Sequence, residues 1–204
     1  NKNYLLSIVA DGLGSSSKSD IGALQATIAV KKAIIQWRSL KENRSDVLIR
    51  LIHFYWNLFI SDLGYEKKDC LTTCLFVYLD KHKNNGLICQ LGDGMIFLKS
   101  NDFSHTTRPN TDFNYTKALG SAKNISDWEI DHVDNCNVRF FLASDCISDD
   151  IVDKKENEFL ESLISSMKQI DKKSCNSFLK TTLKNWPTKF HIDDKTICIA
   201  WSEK

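Results

Sequence analysis

The sequence lacks any apolar run long enough to cross a membrane and any large excess of one charge. Residues 47–60 form an apolar stretch, but Arg50, His53 and Asn57 interrupt it, and a transmembrane helix needs about 20 mostly apolar residues. The chain carries 27 Lys and Arg against 26 Asp and Glu, a formal net charge of +1, whereas a nucleic-acid-binding surface needs a strong basic excess. We therefore expect neither a membrane nor a nucleic acid as a partner.

The motifs of several catalytic classes are also missing. The sequence contains no Gly-x4-Gly-Lys-Ser/Thr phosphate loop, no Gly-x-Ser-x-Gly nucleophile elbow and no Cys-x5-Arg loop. Its seven cysteines include no Cys-x-x-Cys pair with the histidines of a zinc site. Buried free thiols in a reducing compartment are the better interpretation, so we expect a cytoplasmic protein without zinc.

What the sequence does contain is a repeated carboxylate at the end of an apolar, strand-like run. Asp11, Asp93 and Asp145 each follow such a run, and the pair Asp193-Asp194 precedes the last one. Taken singly, Asp-Gly is ordinary turn chemistry. A buried charge is costly, however, unless it is paired or bound to a metal, and carboxylates that meet at one rim of a sheet would suit Mg²⁺ or Mn²⁺. The recurrence of the pattern favours such a site.

Five short motifs follow one another along the chain, namely Val9-Ala10-Asp11-Gly12, Leu71-Thr72-Thr73, Leu91-Gly92-Asp93-Gly94, Leu142-Ala143-Ser144-Asp145 and Asp193-Asp194-Lys195-Thr196. Their order resembles that of the metal-dependent protein phosphatases of the 2C type. The resemblance extends over residues 4–201, and residues 9–15 and 19–23 look most like a compact bacterial branch of that family. Each motif is short, so the specificity lies in their order and spacing.

The predicted elements alternate between strands and helix pairs. Apolar runs predict strands at residues 4–10, 71–79, 86–91, 95–98, 128–133, 138–143 and 195–201. Helices are predicted from about residue 21, over 45–63, over 156–167 and over 174–186, with a polar loop at 100–126. Antiparallel sheets backed by helix pairs make an α+β fold. The resemblance implies a four-layer α-β-β-α sandwich of two mainly antiparallel sheets flanked by helix pairs, and we expect one domain over residues 1–204.

The first two helices have predicted caps and buried faces. Ser19 or Asp20 is expected to cap the first helix and Ser45 the second, while Gly64 ends the second. The apolar face of the first helix is expected to include Leu24, Ile28 and Ile35. That of the second is expected to include Val47, Leu48, Leu51, Tyr55, Leu58 and Phe59. His53, within the second helix, is interpreted as a packed histidine and not as a base.

The resemblance implies a serine/threonine protein phosphatase that uses two or three Mn²⁺ or Mg²⁺ ions. A hydroxide that bridges two ions would attack the phosphoester directly, without a phosphoenzyme. Asp11 would bridge the ions and Gly12 would offer its backbone carbonyl, which glycine allows to come close. Asp145 and Asp193 would complete the pair, and Asp93 would serve a third, weaker ion. Alignment on Thr196 favours Asp193 over Asp194 as the ligand.

Several positions depart from the family pattern. Family members have a further segment before the first strand, with an acidic metal ligand and often a phosphate-contacting arginine, so we expect that the start of this chain was removed or that it is a fragment. Cys146 and Gly94-Met95 also replace commoner residues. Lys18 and Arg108 are candidate replacements for the phosphate-contacting cation, although a solvated surface charge is the plainer interpretation of each.

Three functions stay open from the sequence. The first is a phosphatase whose partners are phosphorylated proteins and an opposing serine/threonine kinase. The second is a catalytically silent protein of the same fold that binds a partner such as a kinase. The third is a phosphatase for small metabolites or nucleotides, because the acids define a reaction centre and not a substrate.

Overall fold

The computed structural model describes residues 3–40, 44–107, 116–187 and 194–202. It contains eight strands and five α-helices within those ranges. In chain order they are β1 (Tyr4–Val9), α1 (Ser19–Ser39), α2 (Ser45–Asp62), β2 (Cys74–Asp80), β3 (Asn85–Leu91), β4 (Met95–Lys99), β5 (Ser104–Thr107), β6 (Glu129–Val133), β7 (Arg139–Ala143), α3 (Asp145–Ser148), α4 (Glu156–Lys168), α5 (Cys175–Lys184) and β8 (Ile197–Ala200). Short 3₁₀ turns lie at Lys67–Cys70 and Ile125–Asp127.

The strands form two antiparallel four-stranded sheets, with the orders β1-β2-β3-β6 and β5-β4-β7-β8. The facing sides of the sheets bury a shared core of Val9, Leu75, Val77, Leu79, Ile88, Ile96, Leu98, Val133, Val138, Phe140 and Leu142. The outer face of the first sheet packs against α1 and α2, and that of the second sheet against α3 and α4. The predicted α-β-β-α sandwich is confirmed. Strands covered on both faces explain why these segments read as continuous apolar runs.

The predicted buried face of α1 is wrong. Leu24, Ile28 and Ile35 are 58%, 42% and 52% exposed. The helix instead buries a face of mostly small residues, namely Gly22, Ala26, Ala29, Val30, Ala33, Ile34 and Trp37. At Gly22 the spacing is so close that a Cβ atom would lie 1.9 Å from the carbonyl oxygen of Cys70. Close packing selects small side chains here, which a hydrophobicity pattern undervalues.

The face predicted for α2 is confirmed except at Leu58, which is 48% exposed. Leu48 is buried, and Val47, Leu51, Tyr55 and Phe59 are partly buried against the same core. The prediction missed the most deeply buried positions of the helix, which also include Ile49, Ile52, Trp56 and Ile60. The indole N–H of Trp56 donates to the carbonyl of Gly22 across the helix pair at 3.0 Å, and this contact sets the rotation of α2 against α1.

The predicted helix caps are not formed. Ser19 and Ser45 are the first residues of α1 and α2, whose N-cap positions are Lys18 and Arg44 without a side-chain capping bond. The chain that enters α1 is instead held by the 3₁₀ turn at Lys67–Cys70. The N–H of Lys18 donates to the carbonyl of Asp69 at 2.7 Å, and the hydroxyl of Ser16 donates to the carbonyl of Lys68 at 3.0 Å. The predicted end of α2 is confirmed, because Gly64 follows with φ +76°.

The loop predicted over residues 100–126 contains a strand. Residues of β5 pair with β4 from Lys99↔Ser104 to Ile96↔Thr107. The sequence Ser-His-Thr-Thr of β5 has no apolar alternation, so its strand character comes from edge pairing alone. Within the described part of the chain, no helix combines the length and hydrophobicity needed to cross a bilayer.

All seven cysteines are free thiols. Cys70, Cys74, Cys89 and Cys146 are buried, and the other three are partly exposed. The prediction of free thiols is confirmed, whereas their burial is confirmed for four of them.

Candidate functional site

Three of the acids singled out in the sequence, Asp11, Asp93 and Asp145, lie at one end of the sandwich. The register pairs Val9 with Leu75, Cys74 with Leu91 and Met95 with Ala143. Strands β1, β3 and β7 therefore end at the same rim where β2, β4 and β8 begin. Asp11, Asp93 and Asp145 follow the ends of these strands directly. The tertiary fold thus brings three acids that are far apart in sequence to one rim.

The connection from β3 to β4 passes from one sheet to the other at this rim. A Cβ atom on Gly94 would lie 2.6 Å from the carbonyl oxygen of Ala143, at the end of β7 in the second sheet, and 3.1 Å from the side chain of Leu75 in the first. The turn that carries Asp93 therefore sits between the two sheets at this rim.

Two threonines hold the backbone of Asp11. The N–H of Asp11 donates to Oγ1 of Thr73 at 3.0 Å. Its carbonyl accepts bonds from the N–H of Thr73 and from Oγ1 of Thr72, both at 2.8 Å. Both threonines are buried, whereas Asp11 itself is partly exposed. The Thr-Thr pair of the sequence motif therefore fixes the position from which the half-buried carboxylate of Asp11 extends.

Gly12 has backbone N–H and C=O groups that point away from its bridge partner, and it packs very closely against the start of α1. It pairs with Thr72 in an isolated bridge, whose bonds are made by the flanking residues: Leu13 N–H to the Leu71 carbonyl at 3.0 Å, and Thr73 N–H to the Asp11 carbonyl. In such a pair the N–H and C=O of Gly12 point away from Thr72. A Cβ atom at this position would lie 2.6 Å from the backbone of Ser19. Glycine is therefore required between β1 and the start of α1.

Asp93 sits in a turn between two glycines with positive φ, +91° at Gly92 and +100° at Gly94. Its Oδ2 accepts a hydrogen bond from the hydroxyl of Thr116 at 2.8 Å. The amide of Gln90 donates to the carbonyls of Gly92 and Gly94, each at 3.1 Å. The sequence interpretation missed Gln90 and Thr116. For Gln90 there was a signal, since it is a polar residue inside an otherwise apolar strand.

Asp145 begins α3, and its Oδ1 accepts a bond from the N–H of Cys146 at 2.7 Å. The preceding Ser144 ties this point to the start of β8. Its N–H donates to the carbonyl of Thr196 at 3.0 Å, its hydroxyl accepts the N–H of Thr196 at 3.1 Å, and the same hydroxyl donates to the carbonyl of Asp194 at 3.3 Å. The segment that starts at Asp194 therefore lies beside Asp145.

The remaining predicted residues are placed less fully. Asp193 and Arg108 lie outside the described residues, and Asp194 is exposed. Lys18 is exposed at the N-cap of α1. Nε2 of His53 accepts the indole N–H of Trp128 at 3.0 Å, and burial lowers the pKa of His53, which agrees with a packed histidine.

The donors at this rim are carboxylates and a backbone carbonyl, the hard oxygen ligands that suit Mg²⁺ and Mn²⁺. Among residues 3–40, 44–107, 116–187 and 194–202, however, no group of three or more His, Cys, Asp or Glu side chains is close enough to hold a metal ion. The oxygen donors present at this rim are nonetheless of the kind that such an ion binds.

Comparison with known proteins adds the following. The family model described as Protein phosphatase 2C matches residues 1–186. No curated protein sequence matches the chain. One similar solved structure comes from work on the bacterial stressosome, a modular system adapted to control secondary messenger signalling; it is 12% identical, with 97% of this chain and 84% of that chain covered and a TM-score of 0.63.

Two further structures carry phosphatase names. The SiaA-PP2C domain of Pseudomonas aeruginosa is 13% identical, with 98% and 80% of the two chains covered and a TM-score of 0.59. The catalytic domain of the serine threonine protein phosphatase PstP, in complex with two manganese ions, is 16% identical, with 89% and 81% covered and a TM-score of 0.54. At these identities the similarities concern the fold.

Proposed function

Because the chain belongs to the protein phosphatase 2C family, we propose that it is a metal-dependent phosphatase that removes phosphate from serine or threonine side chains of proteins. The observation that carries the proposal is the convergence of Asp11-Gly12, Asp93 and Asp145 on one rim of the sandwich. The two manganese ions in the similar PstP catalytic domain support a requirement for divalent ions. We also propose that residues 1–204 form one phosphatase domain.

Several residues at the rim would together bind Mn²⁺ or Mg²⁺. Asp11 would hold two ions with its carboxylate, and Gly12 would offer its carbonyl, which points away from its bridge partner Thr72. Asp145 and Asp193 would complete the pair, and Asp93 would serve a third ion. Bound divalent ions would neutralise phosphate charge and activate water at neutral pH.

The protein's own contribution is to hold these oxygen atoms in place. Thr72 and Thr73 bond the backbone of Asp11 from both sides. Ser144 joins the end of β7 to residues 194–196, so that Asp145 and the segment next to Asp193 are held together. Such supporting bonds orient metal ligands, and their loss usually weakens metal affinity or activity by about 10–100-fold.

The test is the Asp11→Asn variant, which keeps the size of the side chain and removes its charge. We expect Mn²⁺-dependent hydrolysis of a phosphopeptide to fall by at least ~100-fold, because loss of a ligand should cost more than loss of an outer-shell partner. Calorimetric Mn²⁺ titration should show weakened binding, and the melting temperature of the metal-free protein should not fall.

Asp134→Asn is the matched control. Asp134 is exposed and follows β6 at the opposite end of the first sheet, since Val133 pairs with Gly86 at the start of β3. This variant should keep both activity and Mn²⁺ affinity. Normal turnover by the Asp11→Asn variant would refute the proposal.

A second candidate is a catalytically silent member of the family that binds a partner protein. It is favoured by the placement of two arginines: Arg38 pairs with Asp80 and Arg139 with Glu161, at strand ends opposite to the acidic rim, so neither can contact phosphate there. We propose Lys18 as the phosphate-contacting cation, because it is exposed and directly precedes Ser19, against which Gly12 packs. Absence of Mn²⁺ binding by the wild-type protein in calorimetry would support the silent candidate.

The substrate class needs its own test. We propose phosphorylated proteins, generated by a serine/threonine kinase in the cytoplasm, as substrates. Turnover measured on a panel of phosphopeptides should exceed turnover on a panel of nucleotides and sugar phosphates at the same Mn²⁺ concentration. The opposite order would identify a metabolite phosphatase.

A further inference from the structure

Gln90 is a buried polar side chain that the proposed chemistry does not use directly. It lies in β3 among apolar residues and is only 1% exposed. A buried amide without hydrogen-bond partners would be strongly unfavourable. Its contacts therefore indicate what this position does.

The Gln90 amide bonds the turn that carries Asp93 on both sides of that residue. Its Nε2 donates to the carbonyl of Gly92 and to the carbonyl of Gly94, each at 3.1 Å. Carbonyl oxygens only accept hydrogen bonds, so the group that faces them must be the NH₂ of the amide. One side chain thus holds the peptide unit immediately before Asp93 and the peptide unit that follows Gly94.

Thr107, the last residue of β5, holds the other end of the amide. Its hydroxyl donates to Oε1 of Gln90 and accepts the N–H of Ile96 at 2.9 Å. Both Gln90 and Thr107 are buried. The amide therefore has its donors and its acceptor satisfied, which fixes its orientation.

The turn that carries Asp93 needs support from Gln90 because its two glycines have no side chains that could hold it in place. Gly92 and Gly94 have no side chains, and both adopt positive φ, so the turn's geometry depends on what contacts its backbone. The Asp93 carboxylate is held separately by the hydroxyl of Thr116 at 2.8 Å. Gln90 thus holds the backbone on either side of Asp93, and Thr116 holds the Asp93 carboxylate.

We propose that Gln90, oriented by Thr107, is a positioning residue that sets the affinity of the Asp93 site for a divalent ion. This inference rests on the proposed function, which assigns Asp93 to the third and weakest ion. Losing Gln90 would act first on Asp93, because the amide bonds the carbonyls of Gly92 and Gly94, whereas the backbone of Asp11 is bonded by Thr72 and Thr73. The largest effect of losing Gln90 should therefore fall on the weakest ion.

The experiment compares Gln90→Met, which keeps the length of the side chain but removes its polar atoms, with the wild type and with Asp93→Asn. We expect calorimetry to show Mn²⁺ binding at the weakest site reduced by about 10–100-fold, with the tighter sites unchanged. The Mn²⁺ concentration for half-maximal hydrolysis should rise, and activity should recover at saturating Mn²⁺. In the Asp93→Asn background, Gln90→Met should have no further effect on metal binding.

Two further variants keep the test informative if Gln90→Met folds poorly. Thr107→Val removes the hydroxyl that orients the amide and should weaken the same site less strongly, while Thr107→Ser keeps the hydroxyl and should resemble the wild type. Ser7→Ala, which removes a different buried hydroxyl in β1, is the control for a general loss of packing. It should leave the Mn²⁺ titration unchanged.

A metal-free measurement separates this inference from the proposed function. The chain has eight glycines, so glycine-selective ¹⁵N labelling gives few resonances. Gln90→Met should shift those of Gly92 and Gly94 and leave that of Gly12 in place. A wild-type protein that neither binds Mn²⁺ nor hydrolyses phosphopeptides would refute the proposed function, and with it the metal role of Gln90. Normal wild-type binding with a superimposable titration for Gln90→Met, or equal weakening of every site, would overturn this inference alone.

Discussion

Replacement of Gly12 by alanine should damage stability and metal binding together, through one steric contact. The added Cβ atom would lie 2.6 Å from the backbone carbon of Ser19 and 2.6 Å from its Cβ. Neither atom is the end of a flexible side chain, so the start of α1 or the end of β1 must move. Because Asp11 precedes Gly12 directly, that movement would displace the carboxylate and the carbonyl that we assign to the metal pair.

The expected loss of stability in Gly12→Ala follows from this steric overlap. Forcing one methyl group into a well-packed position costs about 1–3 kcal/mol. For a protein of this size each 1 kcal/mol lowers the melting temperature by about 2–4 °C, so we expect a fall of roughly 2–12 °C. The affinity for Mn²⁺ should fall by about 10-fold or more, in line with other changes that misorient metal ligands.

Gly14 provides a matched control two residues away. It is exposed, has no positive φ, and an added Cβ atom would meet nothing within 4 Å. Gly14→Ala should therefore leave Mn²⁺ affinity unchanged, and its stability should stay equal or rise by up to ~1 kcal/mol because the unfolded chain loses freedom. Both variants would be measured by thermal melting of the metal-free protein and by calorimetric Mn²⁺ titration.

The reasoning would be refuted if Gly12→Ala melted like the wild type and bound Mn²⁺ equally well. It would also be refuted if Gly14→Ala were as damaging as Gly12→Ala, because the effect would then come from backbone freedom and not from the contact with Ser19.

Two other predictions concern a hydrogen bond to Asp11 and the buried side chain of His53. Thr73→Val should cost about 1–3 kcal/mol because the Asp11 N–H loses its acceptor, and it should weaken Mn²⁺ binding, whereas Thr73→Ser should restore both; equal titrations for the two variants would contradict this. Burial lowers the pKa of His53, so its contribution to stability is complete above the unfolded value of about 6.5 and is lost as the pH falls through the folded pKa. The stability difference between the wild type and His53→Gln, measured by urea unfolding, should shrink between pH 8 and pH 5; a constant difference would contradict it.

Local sequence patterns predicted seven of the eight described strands, but they predicted the buried face of α1 poorly. Strands β2, β3, β4 and β7 are apolar on both faces, so each stands out from the polar segments around it. In α1, by contrast, Leu24, Ile28 and Ile35 form the more hydrophobic stripe, yet the helix buries its small residues against α2 and the turn at Cys70. Which of two apolar faces is buried depends on how closely a neighbour approaches, and a single helix carries no information about its neighbour.

The residues of the site also fall into those that the sequence could reveal and those that it could not. Asp11, Gly12, Asp93 and Asp145 could be singled out because each ends a recognisable run. The roles of Thr116 and Thr107 could not, since their partners Asp93 and Gln90 are 23 and 17 residues away in the sequence. The predicted side-chain caps at Ser19 and Ser45 do not form. At Ser19, backbone contacts from the distant turn at Lys67–Cys70 hold the chain instead.

By itself, the sequence determined the family and the order of seven strands and four helices, and it singled out the acids that we propose as ligands of divalent ions. These depend on the kinds of residue and on their order along the chain. Only the tertiary structure decided that Asp11, Asp93 and Asp145 share one rim, that α1 buries alanines, and that the Gln90 amide bonds the turn around Asp93. Hydrogen bonds and close packing depend on distances between segments, and those distances exist only once the two sheets are stacked.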